Sequence, residues 1–191
     1  MTWVPTGAQS YPALTCQNDW APHGRADRDQ GHGASRRRRI AGPDPVEPGQ
    51  VSRTFDLTAT LIPDPTGTTG LRLVTSADDT EYLDVSLDPT AGRLTVDRGH
   101  ASLDVRARTG AYSLACPAAK EPGTPVELRV VVDRSIAEIY LATGQVLTLR
   151  FYPVGDRPWR LQAHGTGSGA GDFTVEAWDL DPGRIHQQPH L

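Results

Sequence analysis

The sequence predicts an all-β protein built as an antiparallel β-sandwich, and three observations lead to this prediction. Short runs of alternating apolar and polar residues recur from Arg53 to Leu180, which is the period of a half-buried strand. Clusters of Pro, Gly, Asp and Ser separate these runs at the spacing typical of a sandwich. No stretch keeps the period of a helix. A chain of 191 residues suits one such domain.

The first half of the predicted domain contains five alternating runs, each expected to form one strand. Their apolar positions are Phe55, Leu57, Ala59 and Leu61; Leu71 and Leu73; Leu83, Val85 and Leu87; Leu94 and Val96; Leu103 and Val105. Turn clusters lie at residues 63–67, 76–79, 88–92 and 122–125.

Residues 126–152 predict a three-strand antiparallel meander. The apolar positions of its first strand are Val126, Leu128, Val130 and Val132. Asp133-Arg134-Ser135 then reads as a tight hairpin connection, and Thr143-Gly144 as a second turn. In the strand between these turns, one face carries Ala137, Ile139 and Leu141 and the other carries Ile136, Glu138 and Tyr140. We predict that the first set faces the core.

This meander resembles the signature near the end of the glycoside hydrolase family 32 enzymes, the invertases, levanases and inulinases that cleave β-fructofuranosides. The residues that carry the resemblance are Asp133, Arg134, Ser135, Glu138, Tyr140 and Gly144. The runs at 94–98, 150–153 and 175–180 are also similar to that family, so the resemblance extends from Phe55 to Asp181. It implies a C-terminal sandwich, of the jelly-roll or concanavalin-like kind, that packs against a five-bladed catalytic propeller. We expect the signature residues to hold the fold.

The resemblance places catalysis in the propeller, on Asn-Asp-Pro, Arg-Asp-Pro and Glu-Cys motifs that this chain lacks. Asn18-Asp19 is followed by Trp20, Arg28-Asp29 by Gln30, and Cys116 is preceded by Ala115. Retaining hydrolysis needs two carboxyl groups about 5 to 5.5 Å apart in a rigid pocket. We therefore expect no catalytic residue here and no activity of the chain alone.

Residues 1–50 differ in composition from the domain that we place at 51–182, and a short tail follows at 183–191. Residues 11–50 are rich in Pro, Gly, Asp, Arg and His without apolar periodicity, so we expect an irregular or disordered segment. Its Arg36-Arg37-Arg38-Arg39 run could bind nucleic acid or an anionic surface. The formal net charge of −4 and the lack of interleaved aromatics favour a solvated linker, with no nucleic acid as partner.

Cysteines, histidines and hydropathy suggest neither a cofactor nor a metal site. Cys16 and Cys116 are too few for structural zinc, and we expect free thiols. A Cys116 and His164 pair could serve as nucleophile and base, but nothing in the sequence orients it. No export signal or membrane span is visible, so we expect a cytoplasmic chain as written, or a secreted one if it belongs to a longer parent enzyme.

Sugar recognition requires a flat aromatic surface beside polar groups. The aromatic candidates are Tyr82, Tyr140, Tyr152, Trp159 and Trp178. We single out Tyr140, Trp159 and Trp178 as candidate carbohydrate contacts, and expect Trp159 to be partly exposed because it follows Arg157-Pro158 in a connection. The alternative is that these rings pack internally or against a propeller.

Three functions remain open at this point. The first is a non-catalytic module that stabilises or positions the catalytic propeller of a β-fructosidase. The second is a free carbohydrate-binding module for fructan or sucrose-like glycans. The third is a truncated remnant without activity, since 18 Arg against one Lys indicates a GC-rich gene in which shifted reading frames stay open. An apolar surface that a propeller would cover should also favour self-association.

Overall fold

A computed structural model describes residues 34–41, 46–155, 159–167 and 170–180 of the chain. These residues form twelve strands and one short 3-10 helix, at Pro117–Lys120. The strands are β1 Ala34–Ala41, β2 Val46–Val51, β3 Thr54–Ile62, β4 Thr69–Val74, β5 Tyr82–Asp88, β6 Arg93–Asp97, β7 Ala111–Ala115, β8 Val126–Asp133, β9 Ile136–Leu141, β10 Val146–Arg150, β11 Trp159–Gly165 and β12 Ala170–Asp179.

The described strands form two antiparallel six-stranded sheets. Sheet A has the order β1-β12-β3-β8-β9-β10, and sheet B has the order β2-β11-β4-β5-β6-β7. Consecutive described strands lie in different sheets six times, at β1–β2, β2–β3, β3–β4, β7–β8, β10–β11 and β11–β12, so the sheets are linked repeatedly. The predicted antiparallel β-sandwich is confirmed.

The core lies between the inner faces of the two sheets. In β3 the residues alternate strictly between buried and half-buried, which places Phe55, Leu57, Ala59 and Leu61 inside. On β5 and β6, Leu87, Leu94 and Val96 are fully buried in the same cluster. Period-two alternation produces this result because successive side chains of a strand point to opposite faces of its sheet.

The predicted meander is present as β8, β9 and β10. Ala137, Ile139 and Leu141 are buried, while the other face of β9 is half-buried, so the predicted faces are correct. The β8–β9 connection is the pair Arg134-Ser135, in which Arg134 has φ 53°. A positive φ at the first central position matches a tight hairpin turn, which twists as its strands do.

Two parts of the predicted secondary structure are wrong. We expected the irregular segment to reach residue 50. Instead, β1 and most of β2 lie before that residue, and each is an edge strand of its sheet. Edge pairing uses backbone hydrogen bonds and needs no apolar alternation, so composition gave no signal. The arginine run lies on β1, paired with residues 172–175.

Leu103 and Val105 are also not in a strand, because residues 98–110 form a looped connection. Residues 1–33 and 183–191 lie outside the described part of the chain.

Three further expectations concern features outside the sheets. Cys116 is a free, buried thiol whose pKa is raised by burial, whereas Cys16 lies outside the described residues. In the described ranges, no group of three or more His, Cys, Asp or Glu is arranged to hold a metal ion. The same ranges contain no helix that is long and apolar enough to cross a membrane.

Candidate functional site

Two of the three candidate sugar contacts, Tyr140 and Trp178, lie on the outer face of sheet A. Trp178 is aligned with Asp56 on β3, and Tyr140 is aligned with Arg129 on β8. Both aromatic residues are half-buried. Because β3 and β8 separate their strands, the two rings border the same polar strip from opposite sides.

This strip contains two ordered polar pairs. Arg129 donates through Nε to Asp56 Oδ1 at 2.8 Å and through a terminal nitrogen to Oδ2 at 2.6 Å, in the parallel geometry that fixes a guanidinium. Tyr140 donates its hydroxyl to Glu138 Oε2 at 2.8 Å, which raises the pKa of Tyr140. The face therefore presents fixed donors and acceptors beside an aromatic ring.

Trp159 does not have the exposure that we expected. It begins β11, where Leu161 and Ala163 occupy the same inner face, and its exposed fraction is 0%. Its ring packs against Phe151 with ring centroids 5.8 Å apart. The preceding Pro suggested a connection, but the alternation of β11 sends this side chain into the core. A glycan cannot reach it in this fold.

Tyr82 and Tyr152 differ in how their rings are used. The Tyr82 ring stacks on His100 at 4.9 Å, and the Arg72 guanidinium lies 4.6 Å from its centroid. That ring is therefore already engaged within the protein. Tyr152 is 43% exposed in the connection that follows β10.

Arg72 also belongs to a charged cluster on the outer face of sheet B. Arg72 Nε lies 2.9 Å and His164 Nε2 lies 2.7 Å from the same oxygen, Asp84 Oδ1. Burial alone would raise the pKa of Asp84, but His164 and Arg72 outweigh it and lower this pKa below its ordinary value. His164 lies over Gly70, where a Cβ atom would come within 2.4 Å of the Val85 carbonyl oxygen. Arg72 and His164 thus both contact the Asp84 carboxylate within sheet B.

The structure separates Cys116 from His164. Cys116 follows β7, and His164 is on β11, four strand positions away across sheet B. At about 4.8 Å for each step the separation is about 19 Å. These two residues therefore do not form a nucleophile and base.

Backbone hydrogen bonds, rather than side-chain hydrogen bonds to its amides, fix the signature hairpin. The Asp133 carboxylate accepts from Thr54 Oγ1 at 3.4 Å rather than from a backbone amide of the turn. The turn is instead fixed by its backbone, with the Arg134 amide donating to the Arg53 carbonyl and the Phe151 amide donating to the Ser135 carbonyl. Gly144 has φ 88°, so the second turn uses the conformational freedom of glycine.

A buried carboxylate, Glu81, joins three loop segments at one end of sheet B. Its exposed fraction is 0%. Thr75 Oγ1 donates to Glu81 Oε2 at 2.7 Å, and the backbone amides of Leu103 and Val154 each donate to Oε1 at 2.9 Å. We call these four residues the Glu81 clamp. A buried carboxylate needs such donors because it has lost its hydration.

Two of the three connections that the clamp joins, β6–β7 and β10–β11, carry exposed apolar side chains. The exposed fractions are 54% for Leu103, 99% for Val105, 43% for Tyr152 and 58% for Val154. We call these four residues the loop-end surface. Monomeric proteins rarely keep large apolar groups exposed together unless a partner covers them.

Sequence reasoning missed both the clamp and the loop-end surface. Glu81 follows an Asp-rich turn, where an acidic side chain is ordinarily exposed to solvent, and two of its three donors are 22 and 73 residues away in sequence. Leu103 and Val105 imitate a strand because they alternate with Ser and Asp. One signal was available: Arg98 and Gly99 precede this short run and Arg106, Arg108 and Gly110 follow it, which is unusual for a sandwich strand.

Comparison with known proteins places this sandwich in a family. The model of the glycosyl hydrolases family 32 C terminal domain matches residues 26–179. No curated protein sequence matches the chain.

Three solved structures share the fold at low sequence identity. The exo-inulinase from Aspergillus awamori is 20% identical with a TM-score of 0.67, covering 81% of this chain and 30% of that one. The fructosyltransferase from A. japonicus is 19% identical with a TM-score of 0.67, over 83% of this chain and 28% of that one. The fructan 1-exohydrolase IIa from Cichorium intybus is 15% identical with a TM-score of 0.62, over 78% of this chain and 35% of that one.

The chain thus spans about a third or less of each of these three proteins. The family match covers well over half of the chain and contains all twelve described strands. The protein belongs to the family of glycosyl hydrolase family 32 C-terminal domains.

Proposed function

We propose that this chain is a non-catalytic module of a β-fructosidase-type glycoside hydrolase, which stabilises or positions a catalytic propeller that is not on the chain. The observation that carries this proposal is the extent of the family match. It assigns residues 26–179 to the C-terminal domain alone, and the three catalytic motifs of the family are missing from the sequence.

Three carboxylates of the sandwich bind neighbouring side chains or loop amides, which supports a structural role for them. Asp56 is engaged by Arg129, Asp84 by Arg72 and His164, and Glu81 by three loop donors. These residues are held by neighbours within the sandwich, whereas a nucleophile must face a substrate. A pocket beside the 3-10 helix is lined by Pro63, Pro65, Pro89, Thr90, Ala119, Lys120 and Pro122 and contains no carboxylate.

Hydrolysis assays on the purified chain test this proposal. We expect no fructose release from sucrose, inulin or levan, because two acting carboxyl groups are required. Fructose release that follows the protein through purification, and that is lost in Asp19→Asn or Asp29→Asn, would overturn the proposal.

The outer face of sheet A favours a second candidate function, the binding of a fructan or sucrose-like glycan. The fixed Asp56–Arg129 pair and the Glu138–Tyr140 pair offer acceptors and donors suited to sugar hydroxyls, next to the Tyr140 ring.

Calorimetric titration with inulin, levan and sucrose tests the second candidate. Binding should be weakened at least tenfold in Tyr140→Ala and retained in Tyr152→Ala, a matched change of an exposed tyrosine at the loop end. Equal binding by both variants, or heat no greater than that of dilution for the unmodified chain, would exclude this face as a glycan site.

A further inference from the structure

We propose that β7, an exposed edge strand of sheet B, pairs antiparallel with β7 of a second copy of this chain and joins the two B sheets into one continuous sheet. This inference goes beyond the proposed function and does not depend on it. It is carried by the backbone groups that β7 leaves unpaired among the described strands, by its uncharged sequence, and by the match of its residues about a twofold axis.

The direction of the backbone groups of β7 follows from its bonds to β6. The Cys116 amide donates to the Gly92 carbonyl at 2.8 Å at one end of this strand pair, and the Arg98 amide donates to the Gly110 carbonyl at 3.2 Å at the other end. In an antiparallel pair, every second residue of a strand bonds to the same neighbour. The even-numbered residues of β7 therefore point their amides and carbonyls toward β6, and the odd-numbered residues point theirs away.

The residues whose backbone groups point away from β6 are Ala111, Ser113 and Ala115. All three are exposed, and no other described strand lies beside them. A row of unpaired amides and carbonyls on an edge strand is a template for pairing with another chain.

The other three edge strands of the described sheets carry features that oppose such pairing. β1 contains four consecutive arginines, so two copies of this edge would repel each other. β2 contains Pro48, which has no N–H to donate. On β10, the Arg150 carbonyl faces away from β9 but already accepts from Arg98 at 2.9 Å. The sequence of β7, Ala-Tyr-Ser-Leu-Ala, has no charge and no proline.

A twofold axis at Ser113 matches the β7 edge with itself. Ser113 of one copy then faces Ser113 of the other, and each Ala111 faces an Ala115, so that each outward-pointing pair can exchange two hydrogen bonds. Tyr112 of each copy lies beside Leu114 of the other, in the non-hydrogen-bonded position where side chains come closest. Tyr112 is 44% exposed in the single chain, so this contact buries apolar area.

Tyr112 is already held in place before association. Its hydroxyl accepts from Arg98 at 2.8 Å, and the Arg98 guanidinium lies 4.9 Å from the centroid of its ring. A contact residue that is ordered in the free protein loses less conformational entropy on binding.

Charges on the outer face of sheet B also fit this arrangement. Arg93 is aligned with Ala115, and Asp97 is aligned with Ala111. In the paired edges, each Arg93 therefore shares a row with Asp97 of the other copy, about 14 Å away at three strand spacings, with only alanines between them. This charge complementarity favours a second copy of the chain, rather than an unrelated strand, as the occupant.

Sedimentation equilibrium of the purified full chain measures the association. We expect a dimer that dissociates on dilution. Ser113→Asp should raise the dissociation constant at least tenfold, because it places two like charges directly opposite each other. Thr148→Asp is the matched control and should change this constant less than threefold, since Thr148 is exposed at the middle of β10, on the edge of the other sheet.

Mixing charge variants separates strand pairing from folding. Ser113→Asp and Ser113→Lys should each be monomeric at a concentration where the unmodified chain is dimeric. An equimolar mixture of the two should form a heterodimer with an affinity within threefold of the unmodified chain, because Asp then faces Lys. Mixing would not repair a defect in folding.

Hydrogen exchange locates the contact on the strand. The amides of Ala111, Ser113 and Ala115 should exchange at least tenfold more slowly in the dimer than in the Ser113→Asp variant. The amides of Tyr112 and Leu114 should change little, because they are bonded to β6 in both states.

Three outcomes would overturn the proposal. A chain that stays monomeric up to about 100 μM has no such interface. A dimer that Ser113→Asp leaves intact, or that Thr148→Asp dissociates instead, pairs through another surface. Failure of the two charge variants to associate with each other would mean that the Ser113 positions do not face each other.

Discussion

The β8–β9–β10 meander and the Glu81 clamp stabilise the same domain in opposite ways. In the meander, each strand pairs with the next along the chain, and buried residues such as Val132, Ala137 and Ile139 spread the stabilisation over many contacts. In the clamp, one carboxylate joins segments from three separate connections. Distributed contacts tolerate the loss of one member, whereas a single shared acceptor does not. We therefore predict that a substitution of Glu81 can disorder the connections that it joins without unfolding the protein.

Removing the clamp should have the largest effect on stability. Glu81→Ala leaves the backbone amides of Leu103 and Val154 without their acceptor, whereas the Thr75 hydroxyl can still donate to the Glu81 carbonyl. Each stranded amide costs about 1 to 3 kcal/mol, so we expect a loss of about 2 to 6 kcal/mol in the free energy of unfolding, measured by urea denaturation. Glu81→Gln should lose less than half as much. An equal loss in both variants would show that the charge, and not the geometry of the acceptors, stabilises the loops.

A core substitution in the meander should have the next largest effect. Ile139 is fully buried, so Ile139→Ala should cost about 2 to 5 kcal/mol through lost contacts and a cavity. Ile136→Ala, on the half-buried face of the same strand, is the matched control and should cost less. If the two variants unfold at the same urea concentration, the assignment of strand faces to the core is contradicted.

The charged cluster on sheet B should contribute less, and in a pH-dependent way. The folded-state pKa of Asp84 lies below its ordinary value, so its ionised form is bound more tightly by the folded protein. This contribution is fully present above the unfolded pKa of about 3.9 and is lost as the pH falls through the lower folded-state pKa. Asp84→Asn should cost about 1.5 kcal/mol at pH 7.

Comparing urea denaturation at pH 7 and near pH 3 separates this contribution from packing. The difference between the unmodified chain and Asp84→Asn should shrink at the lower pH. A difference that stays constant across this range would mean that ionisation of Asp84 does not stabilise the fold.

The smallest effect is expected at the signature hairpin. The contact of Asp133 with Thr54 is long, at 3.4 Å, and exposed, so Asp133→Ala should cost about 0.5 kcal/mol or less. This is smaller than for a turn in which Asp caps a backbone amide. A loss as large as that of Ile139→Ala would show that the turn, and not the core, determines the stability of the meander.

Sequence reasoning succeeded where the physical cause is periodic and local. The alternation of β3 and β9 identified their buried faces, and the Gly and Asp clusters identified the turns, because both signals act between near neighbours in the chain. The family signature added the domain type. The same reasoning failed for Trp159, where a preceding Pro suggested a connection although the strand begins at Trp159 itself.

The candidate site was less predictable because its residues meet only in the folded chain. Nothing near Glu81 indicates that the amides of Leu103 and Val154 will share its carboxylate. The pairing of Arg129 with Asp56 depends on the register between β3 and β8, which composition does not specify. Edge strand β2 was missed for a similar reason, since its place follows from backbone pairing with β11.

Native-state hydrogen exchange is the most direct test of the claim that one carboxylate holds both loops of the loop-end surface. In Glu81→Ala, the amides of Leu103 and Val154 should exchange at least tenfold faster and by a common factor, while amides in β8 and β9 keep their protection. Glu81→Gln should exchange nearly as the unmodified chain does. Unchanged exchange at Leu103 and Val154 in Glu81→Ala, or faster exchange at only one of them, would contradict the claim.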